Sequence, residues 1–293
     1  MKGSPTPGGD VHAAHLGDRD FRRLAELIEG HCGIRTPPAK RILVEGRLRR
    51  RLRALGFSGY DQYCDYLFHH DGLAEELTSL IDVITTNKTE FFREANHFDI
   101  LTGTVLNDLM HTGIGFERPL RVWSAGCSTG AEPYTLAMVL SDIRTQVPDF
   151  DFRILGTDIC TDVLRTAQRA IYAEEAIEPV PMLMRRRYLL RSRDPERQEV
   201  RMSPEIRGMV SFRHLNFMAE TYGIPETQDV VFCRNVIIYF DRPTRQTVLE
   251  RICHNITPGG YLFVGHSEHL GDLTLPLRQV VPTVFVRVRE GRT

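Results

Sequence analysis

The sequence lacks the signals of a metal-stabilised, a secreted or a membrane-spanning protein. Its six cysteines are spread along the chain and no two form a C-x-x-C pair, so neither a zinc ribbon nor a thioredoxin-type redox site is indicated. The first 18 residues are rich in Gly, Pro and His without the apolar run of a signal peptide, and no run of about 18 apolar residues occurs. We therefore expect reduced and mostly buried thiols, no metal, a cytoplasmic protein and no insertion into a membrane.

Charge of one sign is also absent. The chain has 37 Lys plus Arg against 38 Asp plus Glu, which argues against a general nucleic-acid coat or a polybasic membrane protein. With 42% hydrophobic and 26% charged residues, the composition is that of a globular protein and excludes a wholly disordered chain. At 293 residues the chain is long enough for two domains.

Periodicity divides the chain into a disordered tail (1–18), a helical domain (19–90) and a second domain (91–293). Phe21, Leu24, Ala25 and Ile28 recur at helical spacing, and similar patterns follow up to residue 84. The first domain is therefore predicted to be a small helical bundle.

From about residue 119 short β-rich runs alternate with helices. This pattern predicts βαβ units and an α/β fold with a doubly wound, mostly parallel sheet of the Rossmann-like type. Residues 172–207 interrupt the alternation and are interpreted as a small antiparallel β insertion, with strands near 188–191 and 199–202.

A glycine-containing turn, AGCSTGAEP, follows the first predicted strand from residue 125. Its spacing is G-x-x-x-G, and neither the G-x-G-x-x-G of dinucleotide folds nor a P-loop is present. Asp158 ends the next strand, where a carboxylate can accept hydrogen bonds from two ribose hydroxyls. The pattern suggests a nucleoside without phosphates, such as S-adenosylmethionine. A generic strand-to-helix turn would have the same sequence, so both interpretations stay open on these residues alone.

Five segments in order, TTNKTEFFRE, SAGCSTGAEPY, GTDI, FCRNVIIYFD and GGYLFVGHSE, resemble the chemotaxis receptor methyltransferases, the CheR family. The resemblance covers nearly the whole chain from about residue 20. It implies a methyltransferase-type fold with S-adenosylmethionine as cofactor. It also implies a protein-glutamate O-methyltransferase whose partner is the cytoplasmic helical bundle of chemoreceptors.

The resemblance also implies a cofactor site. Asn87, Thr89 and Arg93 would border the methionine end, Glu132 would face the ammonium group and Asp158 the ribose, Asn216 with Phe217 would adjoin the adenine, and Gly126, Arg234 and Asn235 would complete the site. Alternatively, Asn87 and Thr89 cap a helix that begins near Glu90, and Glu132 only complements a helix dipole.

The substrate platform is expected at Arg234, Asn235 and Tyr239. We assign no acid or base, because a glutamate side chain with a pKa of about 4.3 is already ionised at neutral pH.

Basic side chains surround the apolar stripe of the second predicted helix. They are Lys40, Arg47, Arg49, Arg50, Arg51 and Arg53, against a single acidic residue, Glu45. By resemblance this surface would dock an acidic receptor helix; the alternative is a solvated face of the bundle.

Some members of the family bind a carboxyl-terminal receptor peptide as an added strand beside a glycine-rich loop. The corresponding residues 192–198, SRDPERQ, contain no glycine, so we predict no such tether. We also predict no nucleic-acid partner, because Asn235 is not followed by the P-P-Y/F of amino-group methyltransferases. The remaining alternatives are methylation of another macromolecule and a non-catalytic S-adenosylmethionine-binding signalling module.

Overall fold

The computed structural model describes residues 15–194 and 196–288. The chain divides into two compact units, Met1–Thr86 and Asn87–Thr293, whereas the sequence analysis places this division after residue 90. Of the expected tail, residues 1–14 lie outside the described residues. Leu16 is buried, and its N–H donates to the Glu45 Oε1 atom at 2.9 Å, so ordered structure begins before residue 18.

The first unit is a helical bundle, as the apolar periodicity predicts. Its helices are α1 (Asp18–Cys32), α2 (Arg41–Leu55), α3 (Tyr60–His69) and α4 (Gly72–Ile84). Gly33 follows the last residue of the first helix, and its left-handed φ of 73° suits a residue without Cβ. Leu24, Leu48, Tyr63 and Leu80 are fully buried and form its core.

The second unit is an α/β domain, which confirms the predicted fold class. Its strands are β1 (Leu120–Ala125), β2 (Phe152–Asp158), β3 (Ile171–Ala173), β4 (Leu189–Arg191), β5 (Glu199–Met202), β6 (Val210–His214), β7 (Gln228–Cys233), β8 (Ile256–Val264), β9 (Leu277–Val281) and β10 (Val284–Arg287). Its helices are α5 (Asn96–Ile100), which continues through a π-helical turn (Leu101–Val105) into α6 (Leu106–Met110), then α7 (Ala131–Gln146), α8 (Thr161–Arg169), α9 (Met182–Tyr188), α10 (Pro204–Gly208) and α11 (Arg242–His254).

The main sheet has seven strands in the order β6-β2-β1-β7-β8-β10-β9. The strands from β6 to β8 are parallel, and β10 is antiparallel to both of its neighbours. Every residue of β7 is buried, as expected for a central strand covered on both faces. The order reverses at β1, so the carboxyl ends of β1, β2 and β7 frame the crevice in which open α/β sheets bind ligands.

The insertion is a three-stranded antiparallel sheet in the order β3-β5-β4. Both predicted strands are present as β4 and β5, and β3, at the start of the insertion, is a third strand that the sequence pattern did not indicate. Pro195, in the loop between β4 and β5, lies outside the described residues.

All six cysteines are free and buried, which confirms the expected thiol state. None of the helices in the described ranges has the length and apolar character needed to span a membrane.

Candidate active site at the carboxyl edge of the sheet

The turn after β1 is tightly packed. Gly126 has a φ of 84°, and a Cβ there would lie 2.4 Å from the Val236 Cγ2 atom, so only glycine fits this close approach. Ser128 is left-handed as well, with a φ of 49°, and its N–H donates to the Asp158 Oδ2 atom at 2.8 Å. The strained turn therefore joins the ends of β1 and β2.

Asp158 is 8% exposed at the end of β2. Its Oδ1 atom accepts the Cys160 N–H at 2.9 Å, and its other oxygen accepts the Ser128 N–H. Burial raises the pKa of the carboxyl group, while these backbone hydrogen bonds oppose the rise. Each carboxylate oxygen has two lone pairs, so acceptor capacity remains for a pair of hydroxyl donors. These acceptor oxygens fit the two hydroxyl groups of a ribose.

Arg234 follows β7 and is the centre of a buried charge network. Its Nε donates to the Glu132 Oε2 atom at 2.7 Å and its Nη1 to the Arg93 carbonyl at 2.7 Å, while Nη1 lies 3.5 Å from the Glu94 Oε2 atom. The side chain is only 2% exposed. The other Glu132 oxygen accepts the Ser124 hydroxyl at 2.6 Å. The Arg234 guanidinium therefore orients two carboxylates.

His97 belongs to the same network, and sequence reasoning missed it. It is fully buried, with Nδ1 at 3.2 Å from the Arg234 Nη1 atom and Nε2 at 2.8 Å from the Thr283 Oγ1 atom. Burial, followed by the Arg234 charge, lowers the pKa of His97 to about 4. Because a guanidinium only donates, Nδ1 is the acceptor and Nε2 carries the hydrogen. No periodicity marks this histidine, since its partners come from distant strands.

The segment from residue 87 to 95 is an irregular loop and turn. No helix begins near Glu90, so the helix-cap alternative for Asn87 and Thr89 is wrong; the helix begins at Asn96. The Asn87 carbonyl accepts the Ser128 hydroxyl at 2.8 Å, which joins the loop to the turn after β1.

Arg93 lies between two strained residues of this loop. Phe92 and Glu94 have φ values of 56° and 54°, and strain of this kind in non-glycine residues concentrates at functional sites. The Arg93 Nη1 atom donates to the Lys88 carbonyl at 3.1 Å.

Asn216 and Phe217 follow β6, with Leu215 between the strand and Asn216. The Asn216 Oδ1 atom accepts the Met218 N–H at 2.9 Å. Phe217 is buried with its ring edge-on to Tyr222 at 5.8 Å. Both residues therefore follow β6, which pairs with β2 on the side opposite to β1.

The expected platform after β7 is held by Glu268, a residue that the sequence analysis did not single out. Asn235 has a left-handed φ of 59°, and the N–H groups of Asn235 and Ile237 both donate to the Glu268 carboxylate at 2.9 Å. A short 3-10 turn, Ile237–Tyr239, then leaves Ile238 exposed and Tyr239 half-buried.

Glu94, His97 and His266 present ligand atoms within 4.8 Å of one another. The guanidinium of Arg234 already lies against Glu94 and His97, so a fixed cation neutralises this cluster. The cluster is therefore fully accounted for as part of the Arg234 network.

The basic side chains of α2 fall into two groups. Arg51 forms a bidentate pair with Glu76, which is 2% exposed, and Arg47 donates to the Ile84 carbonyl and to Thr86. Lys40, which lies just before α2, donates to the Arg35 carbonyl, and Arg49 is partly buried. Arg50 and Arg53 are exposed, and within the described part of the chain neither forms an ion pair.

Comparison with known proteins is consistent with this geometry. Residues 87–286 match the family model described as CheR methyltransferase, SAM binding domain, and residues 19–85 match the CheR methyltransferase all-alpha domain. The chain belongs to the CheR family. It is an S-adenosylmethionine-dependent methyltransferase of this chemotaxis family, as the resemblance predicted.

Two curated relatives of the CheR family are similar over most of their length. Chemotaxis protein methyltransferase 2 of Pseudomonas aeruginosa is 36% identical over 282 residues, covering 96% of this chain and 98% of the relative. The Escherichia coli chemotaxis protein methyltransferase is 39% identical over 260 residues, covering 88% and 87%. A crystal structure of magnesium protoporphyrin IX methyltransferase from Synechocystis with bound SAH is 15% identical, covers 68% of each chain and has a TM-score of 0.31, which is too low to support an argument.

Proposed function

We propose that this protein transfers the methyl group of S-adenosylmethionine to glutamate side chains in the cytoplasmic domains of chemoreceptors, giving glutamate methyl esters. The relatives named chemotaxis protein methyltransferase support the partner class. The observation that carries the proposal is the edge formed by Glu132, Asp158 and the Asn235–Tyr239 segment. It combines acceptors for a cationic nucleoside with a platform whose Ile238 is exposed, and an accepting glutamate that is ionised at neutral pH needs no base.

The chain's own residues fit the cofactor. Asp158 would accept the ribose hydroxyls. Glu132, whose carboxylate is fixed in place by Arg234 and Ser124, would face the ammonium group. Arg93 offers a guanidinium to the methionine carboxylate. Asn87 and Thr89 would complete the methionine end.

The remaining cofactor contacts are proposed at residues that the fold brings to the same edge. Asn216 and Phe217 would adjoin the adenine, Gly126 permits the close turn, and Arg234 with Asn235 complete the site. Each of these assignments is a proposal of residue roles, supported by position at the strand ends.

The reaction requires alignment more than acid–base catalysis. When bound, S-adenosylmethionine supplies an electrophilic methyl group on a sulfonium. The accepting glutamate is ionised at neutral pH, and the proposed platform of Arg234, Asn235 and Tyr239 orients it through backbone groups and exclusion of water. His97 is excluded as a base because it is fully buried and both ring nitrogens have partners within the protein.

The proposed receptor-docking surface is the basic surface of α2. Arg50 and Arg53 are its exposed, ion-pair-free members, so they have charge available for an acidic receptor helix. Arg47, Arg49, Arg51 and Lys40 remain proposed members, although Arg51 already neutralises Glu76. We further propose that the protein acts in the cytoplasm without nucleic acid and without a receptor tail peptide.

The decisive test incubates the protein with methyl-labelled S-adenosylmethionine and a receptor cytoplasmic fragment. We expect label in the fragment that is released as methanol by mild alkali, because methyl esters hydrolyse and methylated amines do not. Replacing the accepting glutamates by alanine is the control and should abolish labelling. Alkali-stable label would indicate another acceptor, and cofactor binding without transfer would indicate a non-catalytic module.

A further inference from the structure

Glu268 holds a buried carboxylate against a cluster of backbone N–H groups. It is 3% exposed. Its Oε2 atom accepts the Asn235 N–H at 2.9 Å and the Gly265 N–H at 2.6 Å. Its Oε1 atom accepts the N–H groups of Val236 and Ile237, both at 2.9 Å. In the ranges that the structure describes, no cation pairs with this carboxylate, so its charge is balanced by backbone dipoles.

Only a carboxylate of this length satisfies the arrangement. Four donors need an acceptor with two oxygens, and an ionised glutamate has lone pairs for all four. A glutamine at this position would accept at one oxygen and would direct its NH₂ group at two N–H donors. An aspartate is shorter by one methylene. Charge-assisted hydrogen bonds of this type are stronger than neutral ones.

The held backbone is left-handed at Asn235 and closely packed. Asn235 has a left-handed φ of 59°, a conformation that asparagine adopts more readily than other residues with a side chain. Gly265 presses against it: a Cβ at Gly265 would lie 2.6 Å from the Asn235 Nδ2 atom, 3.0 Å from its N and 3.0 Å from the Glu268 Oε2 atom. Glu268 and Gly265 together therefore determine the path of the chain after β7.

We propose that Glu268 is a positioning residue for methyl transfer. Its carboxylate holds residues 235–237 in the conformation that presents the platform for the accepting carboxylate, and it acts through this backbone without touching either reactant. The inference rests on the proposed function and adds a residue to it. Replacing the Glu268 carboxylate should impair alignment in the transition state more than cofactor binding, since among the proposed cofactor contacts only Asn235 lies in the backbone that Glu268 holds, whereas Asp158 and Glu132 lie outside it.

The test compares Glu268→Gln with a matched variant near the start of β7, whereas the backbone that Glu268 holds follows the end of that strand. Asp229 is also a fully buried carboxylate, bound by Arg118 at 2.6 and 2.7 Å. Asp229→Asn should lower the melting temperature and leave kcat close to that of the wild type. Glu268→Gln should lower kcat about tenfold or more while the calorimetric affinity for S-adenosylhomocysteine changes less than about threefold.

A second variant keeps the charge and disturbs the same contact. Gly265→Ala should reproduce the fall in kcat, because its Cβ would displace Asn235.

Amide hydrogen exchange at residues 235–237 should accelerate in Glu268→Gln and not in Asp229→Asn. This readout needs no receptor and decides the structural part of the proposal separately.

Three outcomes would overturn the proposal. They are a kcat for Glu268→Gln and Gly265→Ala within about twofold of the wild type, a fall in kcat shared equally by Asp229→Asn, and unchanged amide exchange. Wild-type protein is assayed first; failure of the wild type to methylate receptor fragments refutes the proposed function, whereas an active wild type with an equally active Glu268→Gln refutes only the role of Glu268.

Discussion

The arginine at the carboxyl edge of the sheet and the arginines of α2 differ in where their charge is used. Arg234 is almost fully buried and contacts Glu132, Glu94 and His97, so its charge organises a site. In α2, Arg51 is directed to a buried carboxylate of the same unit, while Arg50 and Arg53 lie in solvent. A basic residue can therefore bind an acidic partner only where the fold leaves its charge available.

The largest expected effect comes from removing the buried charge. Arg234→Met leaves Glu132 and Glu94 without their cation, and breaking a buried pair in this way costs about 3–5 kcal/mol. We expect the free energy of unfolding, measured in urea, to fall by that amount and cofactor binding to be lost. The control is Arg242→Met, whose side chain is 69% exposed beside Asp272 and should change stability by less than about 1 kcal/mol. Equal effects would remove the distinction between the two kinds of arginine.

His97 tests the same network through pH. Its pKa is about 4 in the folded protein, against 6.5 when exposed. Between these values the unfolded chain binds a proton that the folded protein does not, so stability falls as pH decreases below 6.5. The wild type should lose up to about 3 kcal/mol relative to His97→Gln between pH 7 and 4. Parallel unfolding profiles for the two proteins would show that His97 titrates normally.

Asp158→Ala should weaken binding of both S-adenosylmethionine and S-adenosylhomocysteine by about 1–3 kcal/mol, because the ribose hydroxyls lose their acceptors. Isothermal calorimetry measures this directly. Asp162→Ala, at an exposed position of the next helix, is the control and should bind like the wild type. Equal affinity of the Asp158 variant and the wild type would remove this carboxylate from the site.

The two groups of arginines in α2 can be separated by paired variants. Arg51→Ala should lower the free energy of unfolding by about 1–3 kcal/mol, because it removes the cation from buried Glu76 and leaves only the Tyr63 hydroxyl as a side-chain partner within the described ranges. The double variant Arg50→Ala with Arg53→Ala should stay within about 0.5 kcal/mol of the wild type. It should nevertheless raise the receptor KM at low salt, with an effect that shrinks at high salt. Unchanged receptor kinetics at low salt would make α2 a solvated face.

The smallest effect is expected at the β insertion. A free receptor carboxyl-terminal peptide should not bind measurably, since the long side chains of Arg193, Glu196 and Arg197 stand in place of glycines in the β4–β5 loop. Titration of the peptide followed by fluorescence checks this. Micromolar binding that is abolished by mutating the loop would contradict the prediction.

Much of the architecture was predictable because it depends on local patterns. Phe21, Leu24 and Ile28 mark one face of a helix by spacing alone, and the β-rich runs from residue 119 indicate parallel strands. Once strand order is set, Gly126 and Asp158 must come to one edge, since the ends of neighbouring parallel strands meet there. The CheR motifs then identified the cofactor class.

The partners of individual side chains depended on the tertiary structure. His97, Thr283 and Arg234 are far apart in the chain, and no periodicity relates them. The same holds for Glu268, which binds a backbone segment more than 30 residues away. Sequence patterns report which face of an element is buried, because burial follows the period of the helix or strand. They do not report which distant group a buried charge meets, because that depends on how whole elements pack.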